Sequence, residues 1–131
     1  MKAYMTNIVL KTLGPMKYYA LRNVIEDKIL TTNIAKGLIT IHAKGATPGI
    51  IIINKELVDN FDKILRKIVP VIVWKHGNAY AHLRSTIMGT TYTLPFKDSK
   101  LLLPMNYEIY FVETRPVYNH KRIIHLYIRG Y

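Results

Sequence analysis

Four consecutive isoleucines, Ile50 to Ile53, constrain the fold more than any other feature of the chain. A run with no polar interruption has no wet face, so it reads as a strand buried on both sides. Its boundaries are punctuated. Gly45-Ala46-Thr47-Pro48-Gly49 before it sets two glycines around a proline, a loop signal. Asn54 after it is an N-cap residue, whose side chain takes an orphan amide at a helix start. Leu57, Val58, Phe61, Ile64, Leu65 and Ile68 then recur at helical spacing until Pro70 stops the pattern.

The other segments are read by the same periodicities. Tyr4 to Leu10 predicts an opening strand, and Gly14-Pro15 a turn. Leu21, Val24, Ile25 and Ile29 share one helical face with Glu26 and Asp27 opposite, and Gly37 closes that segment. Leu38 to Ala43 and Val71 to Trp74 read as strands, as does Thr90 to Leu94 before Pro95. Lys97-Asp98-Ser99-Lys100 predicts a hairpin turn. Leu101 to Leu103, Tyr107 to Glu113 and Arg122 to Arg129 complete a strand-rich second half, the last alternating apolar and polar residues only in part. Strands dominate and helices interrupt them without strict βαβ alternation. The expected class is therefore α+β, strand-rich with a few helices. No repeat, low-complexity tract or linker divides residues 1–131, which are read as a single domain.

Composition excludes several classes. Half the residues are hydrophobic, which excludes disorder. No apolar run reaches membrane-spanning length, and no leader with a cleavage site is read. The chain has no cysteine, so disulfides, thiolate metal sites and a cysteine nucleophile are excluded, and a cytoplasmic location is expected. The net charge of +11 attracts polyanions, phosphorylated small molecules and anionic surfaces. The basic residues are dispersed and no nucleic-acid motif is present, so any nucleic-acid binding is expected to be non-specific.

The segment Trp74 to Gly89 concentrates the site chemistry. At about 100° per residue, Ala79, Leu83 and Ile87 share a face expected to pack on the sheet, and Asn78, His82 and Ser85 line the polar edge beside it. Asn78 is placed to cap the helix. His82 sits where the apolar stripe meets the polar edge. Tyr80 falls on the opposite side unless the helix begins at or after it, and alone it reads as a core aromatic. His42, His76 and His82 are the histidines available for a divalent ion, but none forms an i, i+4 pair. His120 and His125 read as loop and strand residues. The Gly45–Gly49 loop offers backbone amides to an anion, although Pro48 removes one donor and no lysine-serine ending follows. No Ser–His–Asp arrangement or carboxylate pair has support. Glu56, Glu108 and Glu113 are the acids of interest, Glu56 already being explained by the helix dipole.

In order along the chain, Gly37-Leu38-Ile39-Thr40, Gly45-Ala46-Thr47 with the isoleucine strand, His76-Gly77-Asn78-Ala79-Tyr80-Ala81-His82-Leu83-Arg84, Ile87-Met88-Gly89 through Leu94-Pro95, Glu113-Thr114-Arg115-Pro116 and Lys121-Arg122 resemble the YjbQ-like family, also described as secondary thiamine-phosphate synthase enzymes. The resemblance implies an α+β sandwich assembled as a trimer. Its site would lie between subunits, lined by histidines, an acidic residue and a glutamine, with an associated divalent metal. The implied reaction joins a pyrimidine pyrophosphate to a thiazole phosphate. This chain departs from the pattern at several points. Tyr80 stands where the first of two signature histidines belongs, Gly45 where the loop often begins with histidine, and Asn54 at the acidic position. Pro104-Met105-Asn106-Tyr107 replaces a glycine-threonine-tryptophan-glutamine block. A phenol with an ordinary pKa of about 10 is a poor substitute for a neutral imidazole ligand.

The expectation that follows is a divergent family member with a degraded site, a homotrimeric scaffold that binds an anionic or phosphorylated small molecule or a partner. No metal or other cofactor is expected. Asn78 and His82 are the residues that would act on a ligand, and His76, Tyr80, Arg84 and Arg115 those that would bind it. The alternatives are an active thiamine-phosphate synthase-type transferase, with His82 as acid–base or ligand, and non-specific nucleic-acid binding through charge.

Overall fold

A computed structural model describes residues 1–74 and 77–131. These form, in chain order, β1 (Lys2–Thr12), β2 (Lys17–Ala20), α1 (Arg22–Thr31), β3 (Lys36–Ala43), β4 (Gly49–Asn54), a 3-10 turn (Lys55–Leu57), α2 (Val58–Ile68), α3 (Ala79–Met88), β5 (Thr91–Lys97), β6 (Lys100–Leu101), β7 (Tyr107–Glu113) and β8 (His120–Gly130). The strands make a five-stranded sheet, β1-β8-β3-β5-β6, and a three-stranded sheet, β2-β7-β4, with every pairing antiparallel. The expected α+β class holds.

The sheets pack through residues in phase with the strand period. Ile8, Ile39, Ile41, Ile124, Leu126 and Ile128 of the large sheet meet Ile50, Ile109 and Phe111 of the small sheet, and Ile25 and Ile29 of α1 close one side. Each fully buried isoleucine contributes about 2 kcal/mol through removal from water. The far face of the small sheet carries Ile51 and Val112, covered by Leu65 of α2 and Met88 of α3. The isoleucine strand is thus covered on both sides, as its sequence predicts. It lies at an edge of its sheet, however, and its burial fades toward Ile52 and Ile53.

Local chemistry matches most boundaries. The Asn54 side chain accepts from the Glu56 amide at 3.0 Å, as a capping residue should. Asp98 and Ser99 both have positive φ, 52° and 61°, and make the tight hairpin between β5 and β6. Four expectations are corrected. Gly37 lies inside β3, and the preceding helix ends at Thr31. Leu101 to Leu103 contributes only Leu101 to β6, which pairs it with the preceding Lys100 in a two-residue strand. The strand β2, unanticipated, pairs with the edge of β7. Val71 to Trp74 forms bends, with no strand among the described residues pairing with it, and leaves Ile72 89% exposed. Among the described residues no helix is long and apolar enough to cross a membrane.

The register of β3 against β8 depends on a glycine pair. Gly37 and Gly130 are direct partners. A Cβ on Gly37 would lie 1.9 Å from the Arg129 carbonyl oxygen, and one on Gly130 would lie 2.0 Å from that of Lys36. Both obstacles are backbone and cannot rotate away. Gly37→Ala should therefore cost about 3 kcal/mol of unfolding free energy. Gly77→Ala, whose Cβ meets nothing within 4 Å, should change stability by less than about 0.5 kcal/mol. Urea denaturation of the two variants checks the contrast.

Candidate functional site

The site is built outward from a buried ion pair. Glu113 ends β7 with no solvent exposure, and Arg122 lies near the start of β8 with 7%. Arg122 donates from Nε to Oε1 and from Nη2 to Oε2 of Glu113, both at 2.7 Å. The carboxylate also accepts from the Thr12 hydroxyl at 2.7 Å and the Arg115 amide at 3.3 Å. Burial pushes the Glu113 carboxyl pKa up, but the Arg122 and Thr12 hydrogen bonds and the guanidinium charge outweigh it and hold the pKa below the usual carboxylate range.

The same cluster ties down the Gly45–Gly49 loop. Arg122 Nη2 donates to the Thr47 hydroxyl at 3.2 Å, and the Thr114 hydroxyl donates to the Thr47 carbonyl at 2.5 Å. From the other side, the Ser85 hydroxyl of α3 donates to the Pro48 carbonyl at 2.7 Å. Loop and helix together wall a cleft of about 460 Å³, lined by Gly45, Ala46, His82, Ser85, Thr86, Gly89 and Thr90. That volume lies within the range of small-molecule sites. Its walls carry an imidazole, hydroxyls and glycine backbone, and no carboxylate. Such a set donates and accepts hydrogen bonds without repelling an anion.

The helix is turned relative to its expected packing. Tyr80, Ala81, Arg84, Ser85 and Met88 are buried, while Leu83 and Ile87 are 38% and 51% exposed. The reason is polar. Val69 ends its segment with a carbonyl that receives Arg84 Nε at 3.1 Å and Nη2 at 2.7 Å, and this draws Arg84 inward. The Arg84 guanidinium lies 5.0 Å from the centroid of the Tyr80 ring, and Tyr80 packs with Val69 and Ala81. Burial and then repulsion from Arg66 lower the Arg84 pKa. The helix begins at Ala79, so Tyr80 and Arg84 are each about 200° from His82 and neither lines the cleft.

The other sequence candidates fall in different places. Asn78 precedes α3, but its side chain makes no capping bond, and its carbonyl instead accepts from the Ala81 amide at 3.0 Å. His76 lies outside the described residues. Arg115 follows β7, and its backbone rather than its side chain serves Glu113. His42 faces away from the cleft, on the outer side of the large sheet. It stacks on His125 with ring centroids 6.3 Å apart, and its Nδ1 is 2.6 Å from the Thr91 hydroxyl. Among the described residues no three of His, Cys, Asp and Glu converge on a metal-sized site. Glu108 caps α1, accepting from the Arg22 amide at 2.8 Å. Sequence reasoning missed Arg122. Its signal was phase, since it shares the inward parity of Ile124, Leu126 and Ile128.

Because the folded-state pKa of Glu113 is depressed, its contribution is present above the ordinary value of about 4.3 and is lost as pH falls through the folded value. Glu113→Gln should cost about 3–5 kcal/mol at pH 7 by leaving Arg122 buried without its counter-charge. The variant should lose less further stability than the parent between pH 5 and pH 2. Urea titrations across that range measure both effects.

The comparisons agree with this architecture. A family model described as UPF0047 protein YjbQ-like matches residues 6–130. A YbjQ-like protein of unknown function from Sulfolobus solfataricus P2 superposes with a TM-score of 0.90 at 23% identity, covering 99% of each chain. A hypothetical protein from Aeropyrum pernix K1 gives 0.86 at 24% identity, over 98% of this chain and 99% of that one. An uncharacterised conserved protein from Clostridium acetobutylicum gives 0.84 at 22% identity, over 92% of this chain and 97% of that one. No curated protein matches the chain. At these identities the structural likenesses establish the fold alone, while the family match spans nearly the whole sequence. The chain belongs to the YjbQ-like family.

Proposed function

We propose that this chain is a divergent YjbQ-like homotrimer whose site is reduced to a cleft around His82 that accepts an anionic, phosphorylated small molecule. The observation that carries the reading is the lining of that cleft, an imidazole and hydroxyls with no carboxylate, on a chain of net charge +11. His82 supplies an N–H to the ligand, while the Ser85 hydroxyl holds the loop and the Thr86 hydroxyl donates to the His82 carbonyl at 3.0 Å. Asn78, one turn earlier, orients the ligand from the entry of the helix. Among the described residues that line the cleft, His82 is the one acid–base group, and this lining supports binding over group transfer.

Support for the homotrimer comes from α3 itself. Leu83 and Ile87 form an exposed apolar stripe adjoining His82, and a surface of that kind beside a polar cleft suits a subunit boundary. In a trimer the neighbouring subunit would complete the cleft wall.

The test uses thermal shifts at low salt against a panel of phosphorylated small molecules. A ligand present at a hundredfold excess over its Kd should stabilise the parent by about 2.7 kcal/mol, and His82→Ala should abolish the shift. A shift that is the same in both proteins contradicts the site. In a thiamine-phosphate synthesis assay, parent and variant should both stay at background. A rate above background that His82→Ala removes would establish the transferase instead. Light scattering should give three times the 15.2 kDa chain mass, and Leu83→Glu with Ile87→Glu should give monomer with an unchanged circular dichroism spectrum. A parent that runs as a monomer contradicts the assembly.

A further inference from the structure

Arg122 holds a donor that its carboxylate partner does not use. Nε and Nη2 are occupied by Glu113, and Nη2 also by Thr47, but Nη1 has no acceptor among the described residues. No fully buried side-chain nitrogen or oxygen among them lacks a partner, so Nη1 is open to solvent although the residue as a whole is 7% exposed. It opens onto a recess of about 290 Å³ lined by Lys44, Gly45, Lys121, Arg122 and Ile123. The recess lies at the lower end of the size range of small-molecule sites, with room for a small group rather than a large molecule. Gly45 adjoins this donor, since a Cβ there would stand 3.4 Å from Nη1.

The surrounding charge is uncompensated. Lys11 and Lys121 are direct cross-strand partners between β1 and β8, an arrangement that is unfavourable without a counter-ion. Lys44 joins them, its amide donating to the Ile123 carbonyl at 3.0 Å. None of the three lysines belongs to an ion pair among the described residues. A guanidinium fixed from behind by a buried carboxylate is preorganised for an oxyanion, and Lys44 and Lys121 add positive charge along the rim of the recess.

We infer that this recess is a phosphoryl seat, in which an oxyanion accepts from Arg122 Nη1 and is flanked by Lys44 and Lys121. Gly45 lines both the recess and the His82 cleft, so the two share a wall. One ligand with a phosphoryl end and a hydrogen-bonding body would occupy both. That spanning arrangement rests on the His82 cleft being a ligand site, whereas the seat itself does not.

Calorimetric titration with inorganic phosphate and with pyrophosphate at low ionic strength tests the seat. Lys44→Ala with Lys121→Ala should weaken binding about tenfold or more, the equivalent of one charge-assisted hydrogen bond. Lys63→Ala with Lys67→Ala, the same loss of charge on exposed positions of α2, should stay within about twofold of the parent. Arg122→Lys should abolish binding if it folds, and the lysine pair keeps the test decisive if it does not. Equal weakening by the two lysine pairs would reduce the effect to diffuse charge and overturn the seat. So would loss of binding confined to His82→Ala, or no binding of either anion to the parent. Failure of the cleft reading looks different, as an organic phosphate that stabilises the parent and His82→Ala alike while the lysine pair still weakens inorganic phosphate.

Discussion

The buried pair of Glu113 and Arg122 is the interaction on which the rest of the site depends. Glu113 closes the central strand of the small sheet, and Arg122 lies near the start of β8, the long strand between β1 and β3 in the large one. Desolvating two charges is costly, and an apolar replacement of similar shape is often as stable or more so. The carboxylate offsets that cost by accepting from a guanidinium fork, a threonine hydroxyl and a backbone amide. What the pair adds beyond stability is position. It joins the two sheets at one end and fixes Thr47, and with it the loop that walls both the cleft and the recess.

Above that loop, α3 is set by polar contacts as much as by apolar ones. Arg84 reaches the Val69 carbonyl and Ser85 the Pro48 carbonyl, and these two anchors determine the rotation of the helix. His82 then faces the cleft while Leu83 and Ile87 face out. A helix rotated to bury its most hydrophobic side chains would have turned His82 away from the loop. The exposed stripe and the cleft are therefore two consequences of one orientation, and this links the proposed assembly to the proposed ligand site.

Much of the fold was legible from periodicity, and the misreadings share a cause. The isoleucine strand, the Asn54 cap, the Asp98-Ser99 turn and the amphipathic α2 follow from local chemistry that tertiary contacts do not override. Val71 to Trp74 has strand composition, but no strand among the described residues pairs with it. The face of α3 was misassigned because hydropathy ranks Leu83 above Arg84, whereas the unpaired Val69 carbonyl makes burial of an arginine favourable. Arg122 was overlooked for the same reason. A charged residue in phase with Ile124, Leu126 and Ile128 marks a buried charge that requires a partner, and Glu113 was already among the acids of interest. His82 and the glycine loop were visible as separate candidates, but their meeting depends on contacts far apart in sequence.

The site left by these contacts is cationic, tethered and free of carboxylates on its open faces. We propose that it holds an anion, and the described residues show no cluster of three metal-binding side chains. The most direct measurement is nitrogen-15 NMR of the Arg122 guanidinium in the assembled protein. A fork locked on Glu113 should give separate, slowly exchanging Nη signals, with the Nη1 signal moving as phosphate is added. A single averaged Nη signal that does not respond to phosphate, as expected of a solvated surface arginine, would contradict both the tether and the seat.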